Sequence, residues 1–139
     1  MRNVLLTLII SLAVLPASAQ DQHIGTWQNN DNGDIGYVKF NAEGYAWFII
    51  NNTPQGGPSF TLDGEQCKMT YTVNYDAVPH TVDFIITSLE SGQVVEKQLG
   101  IFAFKTDYQT MYLCLDLYRR NRPTTFEEDY TMVLARLWQ

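Results

Sequence analysis

Few residues of this chain have the types and spacing that catalysis or metal binding requires. The two histidines, His23 and His80, are far apart, and neither has a cysteine or histidine at metal-ligand spacing. The serine of Gly57-Pro58-Ser59-Phe60 lacks the G-x-S-x-G pattern of a hydrolase nucleophile. Asp31-Asn32-Gly33-Asp34 could belong to a calcium loop that begins at Gln28, but Lys39 stands where that loop needs a carboxylate. We therefore predict no catalytic residue, no metal site and no cofactor, and expect that the protein is not an enzyme.

A basic cluster is the first candidate for ligand recognition. Arg119, Arg120 and Arg122 lie within four positions of an otherwise acidic chain, whose formal net charge is −6. Such a cluster could bind an anion or a carboxylate at the mouth of a barrel. The alternative, which we favour, is that these arginines pair with Glu127-Glu128-Asp129 and order their own loop.

Aromatic side chains are the second candidate. Rings with polar tips inside a barrel would suit an amphipathic ligand, whereas in the alternative the rings fill the lumen and leave a solid core. The residues that we predict to line such a lumen are Tyr37, Tyr45, Trp47, Tyr71 and Phe84.

These residues lie on segments that alternate between apolar and polar side chains, the pattern of antiparallel strands. Nothing after residue 19 has a helical period. The eight predicted strands are His23–Asn29, Ile35–Phe40, Tyr45–Asn51, Cys67–Asn74, Thr81–Thr87, Val94–Phe104, Met111–Tyr118 and Thr131–Trp138. Residues 52–58 contain two glycines and two prolines and are predicted to be a loop. Short connections favour an eight-stranded antiparallel up-and-down β-barrel, with a seven- or ten-stranded barrel or a sandwich as alternatives.

The same alternation bears on the two cysteines. Cys67 shares a face with Met69 and Tyr71, which we take as the interior, and Cys114 shares a face with Tyr112, which we take as the exterior. Side chains on opposite faces cannot approach closely enough for a disulfide. We therefore expect two free thiols.

The first 19 residues have the features of a signal peptide. Arg2 precedes an apolar run over residues 4–15, and Ala17-Ser18-Ala19 offers a small-residue cleavage site. We expect an exported protein, periplasmic or secreted, with a single domain over residues 20–139 and no stable membrane insertion after cleavage. The acidic charge argues against binding to nucleic acid. We expect a monomer.

Two groups of residues carry a family resemblance. Gly25-Thr26-Trp27 matches the G-x-W of calycins, in which the Trp closes one barrel end beneath an Arg of the last strand, here Arg136. Leu99-Gly100-Ile101-Phe102, then residues 111–115 and Arg122-Pro123-Thr124-Thr125-Phe126, resemble a lipocalin-like family of exported bacterial proteins abundant in planctomycetes. The resemblance implies a barrel and an exported location but no reaction. Independently of family, a guanidinium stacked on an indole is a structural pair.

Two functions follow as hypotheses. In the first, the barrel lumen binds a small apolar or amphipathic molecule without catalysis. In the second, the loops at residues 52–58 and 119–126 make the protein an interaction or inhibitor module. A lumen of roughly 300 Å³ or more would favour the first hypothesis, and a filled barrel the second.

Overall fold

The protein is an antiparallel β-barrel in the computed structural model, which describes residues 19–31 and 33–137. The predicted signal peptide, residues 1–19, lies outside the described residues apart from Ala19, as does Trp138 at the end of the last predicted strand. Two three-residue 3-10 turns, Ala19–Asp21 and Glu128–Tyr130, accompany the strands. The strands within the described residues are β1 Gly25–Asn29, β2 Ile35–Phe40, β3 Ala46–Ile50, β4 Thr53–Leu62, β5 Glu65–Asn74, β6 His80–Ser88, β7 Val94–Phe104, β8 Thr110–Leu115 and β9 Thr131–Leu137.

The predicted closed barrel is confirmed, but the described part of the chain forms nine strands rather than eight. Each strand pairs with the next, and β1 pairs with β9 to close the ring. Closure joins the two edges of the sheet, so none is left to pair with another chain.

The additional strand is β4, which includes the segment predicted to be a loop. A ring in which all neighbours are antiparallel needs an even number of strands, unless one strand changes direction within its length. The first half of β4 pairs with β3 and the second half with β5, and the change falls at Gly56 and Gly57, both with positive φ. Beside this corner, Tyr45 and Thr70 form a direct antiparallel bridge. The loop prediction for residues 52–58 was therefore wrong, because the glycines turn a strand instead of ending it.

Glycine at the corner is required by packing. A Cβ at Gly56 would overlap the carbonyl oxygen of Ala46, and a Cβ at Gly57 would overlap the Trp47 indole. Trp47 can therefore lie flat against the corner from outside the barrel. The chain can therefore turn at this corner only because Gly56 and Gly57 have no side chain.

Alternation along the strands builds the core inside the barrel. On β6, Val82, Phe84, Ile86 and Ser88 are buried while the residues between them are partly exposed. On β8, Met111, Leu113 and Leu115 join the same buried cluster. This period of two is the reason why strand faces could be read from the sequence.

Two predicted strands extend two or three residues beyond one end of the observed ones. The first begins at Gly25 rather than His23, and β8 ends at Leu115 rather than Tyr118. The chain turns after Leu115 because the Asp116 carboxylate accepts hydrogen bonds from the backbone N–H groups of Tyr118 and Arg119, at 3.1 and 3.0 Å. A side chain that binds the backbone in this way competes with the strand ladder.

Both cysteines are free, as predicted, and both are buried. Cys67 belongs to the barrel core, whereas Cys114 lies on the outer face of β8. The residues after β8 fold back over that outer face, and the Cys114 thiol lies 3.6 Å from the carbonyl oxygen of Thr125. The opposite faces predicted for the two thiols explain why they do not pair.

The stacked pair at the closed end is also confirmed. Trp27 is fully buried, and the Arg136 guanidinium carbon lies 4.3 Å from the centroid of its ring. The guanidinium donates hydrogen bonds to the carbonyl oxygens of Gln22, Ile24 and Tyr108, at 2.5, 3.1 and 3.1 Å. Arg136 thus ties the segment before β1 and the β7–β8 turn to the last strand.

Candidate functional site

The closed end of the barrel holds a three-residue polar cluster around His23. Its Nδ1 lies 2.8 Å from the Tyr75 hydroxyl, and its Nε2 lies 3.0 Å from the Tyr71 hydroxyl. The Tyr71 hydroxyl donates to the carbonyl oxygen of Asn41 at 2.7 Å, so it accepts from Nε2 of His23. The neutral imidazole then accepts the Tyr75 proton at Nδ1. Each polar group of the cluster is satisfied by another.

Burial sets the protonation of this cluster. It lowers the pKa of His23, although the nearby Asp21 carboxylate acts in the opposite direction. Burial also raises the pKa of Tyr75 to about 12. A neutral imidazole and two neutral phenols are therefore the stable forms near pH 7. We interpret the cluster as the plug of the closed end, because its hydrogen-bonding capacity is already used.

The opposite end of the barrel contains an apolar cavity of about 220 Å³ that opens to solvent. We call it the cup. Its floor is formed by Phe48, Met69 and Phe84, and its walls come from β2, β3, β4, β6 and β7 together with Leu117. The remaining apolar side chains that line it are Ile35, Ile50, Phe60, Leu62 and Ile86.

The size of the cup falls between the two outcomes foreseen for the lumen. It is smaller than roughly 300 Å³, because Trp27, Phe40 and Phe102 fill the lower part of the barrel. It is larger than the roughly 150 Å³ cavity that suffices to bind benzene in an apolar protein core. The barrel is thus half filled and half open.

Three polar side chains line this otherwise apolar cup, namely Gln55 of β4 and Glu96 and Gln98 of β7. Glu96 and Gln98 of β7 lie directly opposite Ile86 and Phe84 of β6, so they share the inner face of the sheet. The Gln98 amide donates to Oε1 of Glu96 at 2.8 Å. The same Oε1 lies 3.6 Å from a guanidinium nitrogen of Arg120 at the rim. Polar groups on an apolar wall are typical of sites that orient a ligand.

Sequence reasoning missed Glu96 and Gln98, although a signal existed. Phe102 is an obvious core residue, and counting back in steps of two gives Gly100, Gln98 and Glu96. A charged residue in a strand is usually assigned to the solvent side, so the alternation was not followed to the end of β7. The register shift between β6 and β7 lies just beyond Glu96.

The structure divides the five predicted lumen residues between two faces. Phe84 forms the floor of the cup, and Tyr71 points inward at the closed end. The prediction was wrong for Tyr37, Tyr45 and Trp47. They alternate with the buried Val38, Phe40, Ala46 and Phe48 and lie on the outer face, where the Lys39 ammonium stands 4.8 Å from the Trp47 ring. β2 and β3 carry apolar residues on both faces, so period alone could not distinguish inside from outside.

The three arginines are engaged by carboxylates, although not by those of residues 127–129 as expected. Arg119 lies 3.7 Å from Asp116, Arg120 lies 3.6 Å from Glu96, and Arg122 lies 2.6 Å from Asp83. Arg122 also donates to the carbonyl oxygen of Gly100 at 2.9 Å. These partners lie on the barrel and in the turn after β8, so the arginines hold the loop against the barrel. This arrangement gives no support to an anion site.

Two other concave surfaces are less suited to an apolar ligand. A groove of about 510 Å³ outside the closed end is bordered by the satisfied His23 cluster. A polar cavity of about 180 Å³ lies between the loop after β8 and the outer face of that strand. Among the residues that the structure describes, no group of three His, Cys, Asp or Glu side chains could hold a metal ion. No helix in residues 19–31 or 33–137 is long and apolar enough to cross a membrane.

Comparison of the chain with protein-family models, with curated proteins and with solved structures finds no match. The resemblance to exported lipocalin-like proteins therefore stays a prediction from the sequence.

Proposed function

We propose that this protein is an exported, non-enzymatic binding protein that holds one small apolar or amphipathic molecule in the cup. The observation that carries the proposal is an apolar cavity of about 220 Å³ that is continuous with solvent and has three polar side chains in its wall. The predicted signal peptide and the lipocalin-like resemblance support export. In this proposal the protein acts as a monomer and catalyses no reaction.

The volume of the cup limits the ligand to a small molecule. A single ring with a short substituent buries about 150–200 Å² of apolar surface, which contributes about 4–5 kcal/mol at about 25 cal/mol per Å². Part of this gain offsets the freedom that the ligand loses on binding, so we expect a dissociation constant on the order of 1 mM. A longer chain would extend past the rim toward Leu117.

The alternative of a loop-based interaction module has less support. Most of the segment predicted to be the first recognition loop is part of strand β4, and the arginines of the second loop are paired within the chain. The Gly/Pro loop that motivated this hypothesis is therefore largely a strand, and the arginines of the other loop are already engaged by carboxylates.

Two adjacent isoleucines of β3 allow a matched test. Ile50 lines the cup, whereas Ile49 lies on the outer face of the same strand. We expect benzyl alcohol to shift the NMR signals of cup residues, with saturation in the millimolar range or below. Ile50→Trp should abolish these shifts by filling the cup, and Ile49→Trp should leave them intact.

The proposal is wrong if benzyl alcohol does not bind, or if both variants behave alike while circular dichroism shows that both are folded. If benzyl alcohol does bind in the cup, mass spectrometry of molecules released from the natively exported protein should identify the physiological ligand. We expect a compound of about ten non-hydrogen atoms, because the cup is somewhat larger than a cavity that binds benzene.

A further inference from the structure

The wall of the cup contains one carboxylate, which suggests what kind of molecule it recognises. Glu96, the third residue of β7, extends into a cavity whose other lining residues are apolar, apart from Gln55 and Gln98. Its side chain is 23% exposed, so it is largely withdrawn from solvent but is reached from the cup. Inward-facing acids are rare in apolar cavities because their desolvation costs free energy.

The two carboxylate oxygens of Glu96 differ in their partners. Oε1 accepts a hydrogen bond from Gln98 and pairs with Arg120. Among the described residues, Oε2 has no hydrogen-bond donor. A carboxylate oxygen has two lone pairs, and it binds a cationic donor more strongly than a neutral one.

Arg120, which pairs with Glu96, is held less firmly than the glutamate. The Arg120 side chain is 63% exposed, belongs to the loop after β8 and approaches Oε1 at 3.6 Å, a long separation for an ion pair. Such an exposed pair contributes little stability. A ligand cation could therefore share or replace this contact at small cost.

We propose that the cup is selective for small primary amines, in which an apolar body occupies the cavity and the ammonium group donates to Glu96. This inference rests on the proposed function, since it assumes that the cup binds a ligand. The formal charge of −6 also favours the approach of cations over anions. Carboxylic acids of the same size should be excluded, because they would place a second carboxylate beside Glu96.

The test compares three probes of nearly identical size: benzylamine, benzyl alcohol and benzoate. We expect benzylamine to bind the full protein about five- to tenfold more tightly than benzyl alcohol at pH 7 and low salt, the difference between a charge-assisted and a neutral hydrogen bond. Benzoate should bind more weakly than benzyl alcohol. The preference for the amine should fall in 1 M salt, because salt ions can enter the open cup and screen the charge of Glu96.

Two variants assign the preference to Glu96. In Glu96→Gln, the ratio of the benzylamine and benzyl alcohol affinities should fall toward one. In Arg120→Ala, which removes the competing cation from an exposed loop, benzylamine affinity should rise about two- to fivefold. The second variant keeps the test decisive if the first does not fold.

The outcomes separate the two proposals. If benzyl alcohol binds in the cup but benzylamine binds no better, the amine selectivity is wrong and the binding function stands. Amine selectivity is also wrong if the preference survives in Glu96→Gln, or if Arg120→Ala weakens amine binding. If neither probe binds, the proposed function itself fails, and the inference fails with it.

Discussion

The pair of Trp27 and Arg136 gives the most direct test of how the closed end is stabilised. Trp27 is fully buried, so replacing it with Ala leaves a large void and should cost about 3–5 kcal/mol of the free energy of unfolding. Arg136→Ala removes a stacking contact worth about 0.5–2 kcal/mol. It also removes hydrogen bonds to three carbonyl groups, which water can partly replace. We expect a total loss of about 2–3 kcal/mol for this variant.

Because the two side chains share one contact, the double variant should be less destabilised than the sum of the single variants, by about 0.5–2 kcal/mol. Urea unfolding followed by far-ultraviolet circular dichroism measures all four proteins without relying on the indole signal. Arg119→Ala is the matched control. Its side chain is 74% exposed and lies 3.7 Å from Asp116, so the cost should stay within about 0.5 kcal/mol. Equal costs for the two arginine variants, or strict additivity within the pair, would refute the reasoning.

Three further predictions concern the strand corner, the plug and the thiols. Gly57→Ala should destabilise the fold by about 2–4 kcal/mol, because its Cβ would overlap an indole ring at φ +75°, whereas Gly64→Ala at φ +80° has open space and should cost only about 1 kcal/mol in urea unfolding. Burial lowers the pKa of His23, so the unfolded chain binds the proton more tightly. Stability should be full above the unfolded value of about 6.5 and fall as the pH drops below it, and His23→Gln should flatten this dependence of the urea midpoint on pH. Titration of denatured, unreduced protein should find two thiols per chain, from Cys67 and Cys114, and fewer than one would contradict the structure.

The strands that could be predicted from the sequence are those with one apolar and one polar face. On β6 the buried Val82, Phe84 and Ile86 alternate with Thr81 and Asp83, and burial alone determines such a register. The corner of β4 could not be predicted, because glycine and proline usually mark loops. Only the tertiary overlap that a side chain would cause there shows why glycine is needed.

The candidate site was harder to predict than the fold. Tyr37, Tyr45 and Trp47 were assigned to the lumen because they are aromatic, yet their strands are apolar on both faces and the smaller Val38 and Ala46 point inward. Which face points inward on such strands depends on contacts between residues distant in sequence. The stacking of Trp27 and Arg136 could be predicted because the resemblance to calycins implies that these two residues pair at one end of the barrel.

The two ends of the barrel differ in what their polar groups do, and this difference gives a last prediction. At the closed end, polar side chains satisfy one another and so stabilise the fold, whereas Glu96 carries an oxygen for which the described residues supply no donor. A side chain that is retained for binding at the expense of stability should be replaceable by an apolar one with a gain in stability. We expect Glu96→Leu to raise the free energy of unfolding by about 0.5–2 kcal/mol while removing the preference for benzylamine over benzyl alcohol. Lys97→Leu, on the opposite face of β7, is the control and should change stability by no more than about 0.5 kcal/mol. If Glu96→Leu instead destabilises the protein in urea unfolding, the carboxylate serves mainly to hold Arg120 and its loop, and its role in the cup is structural.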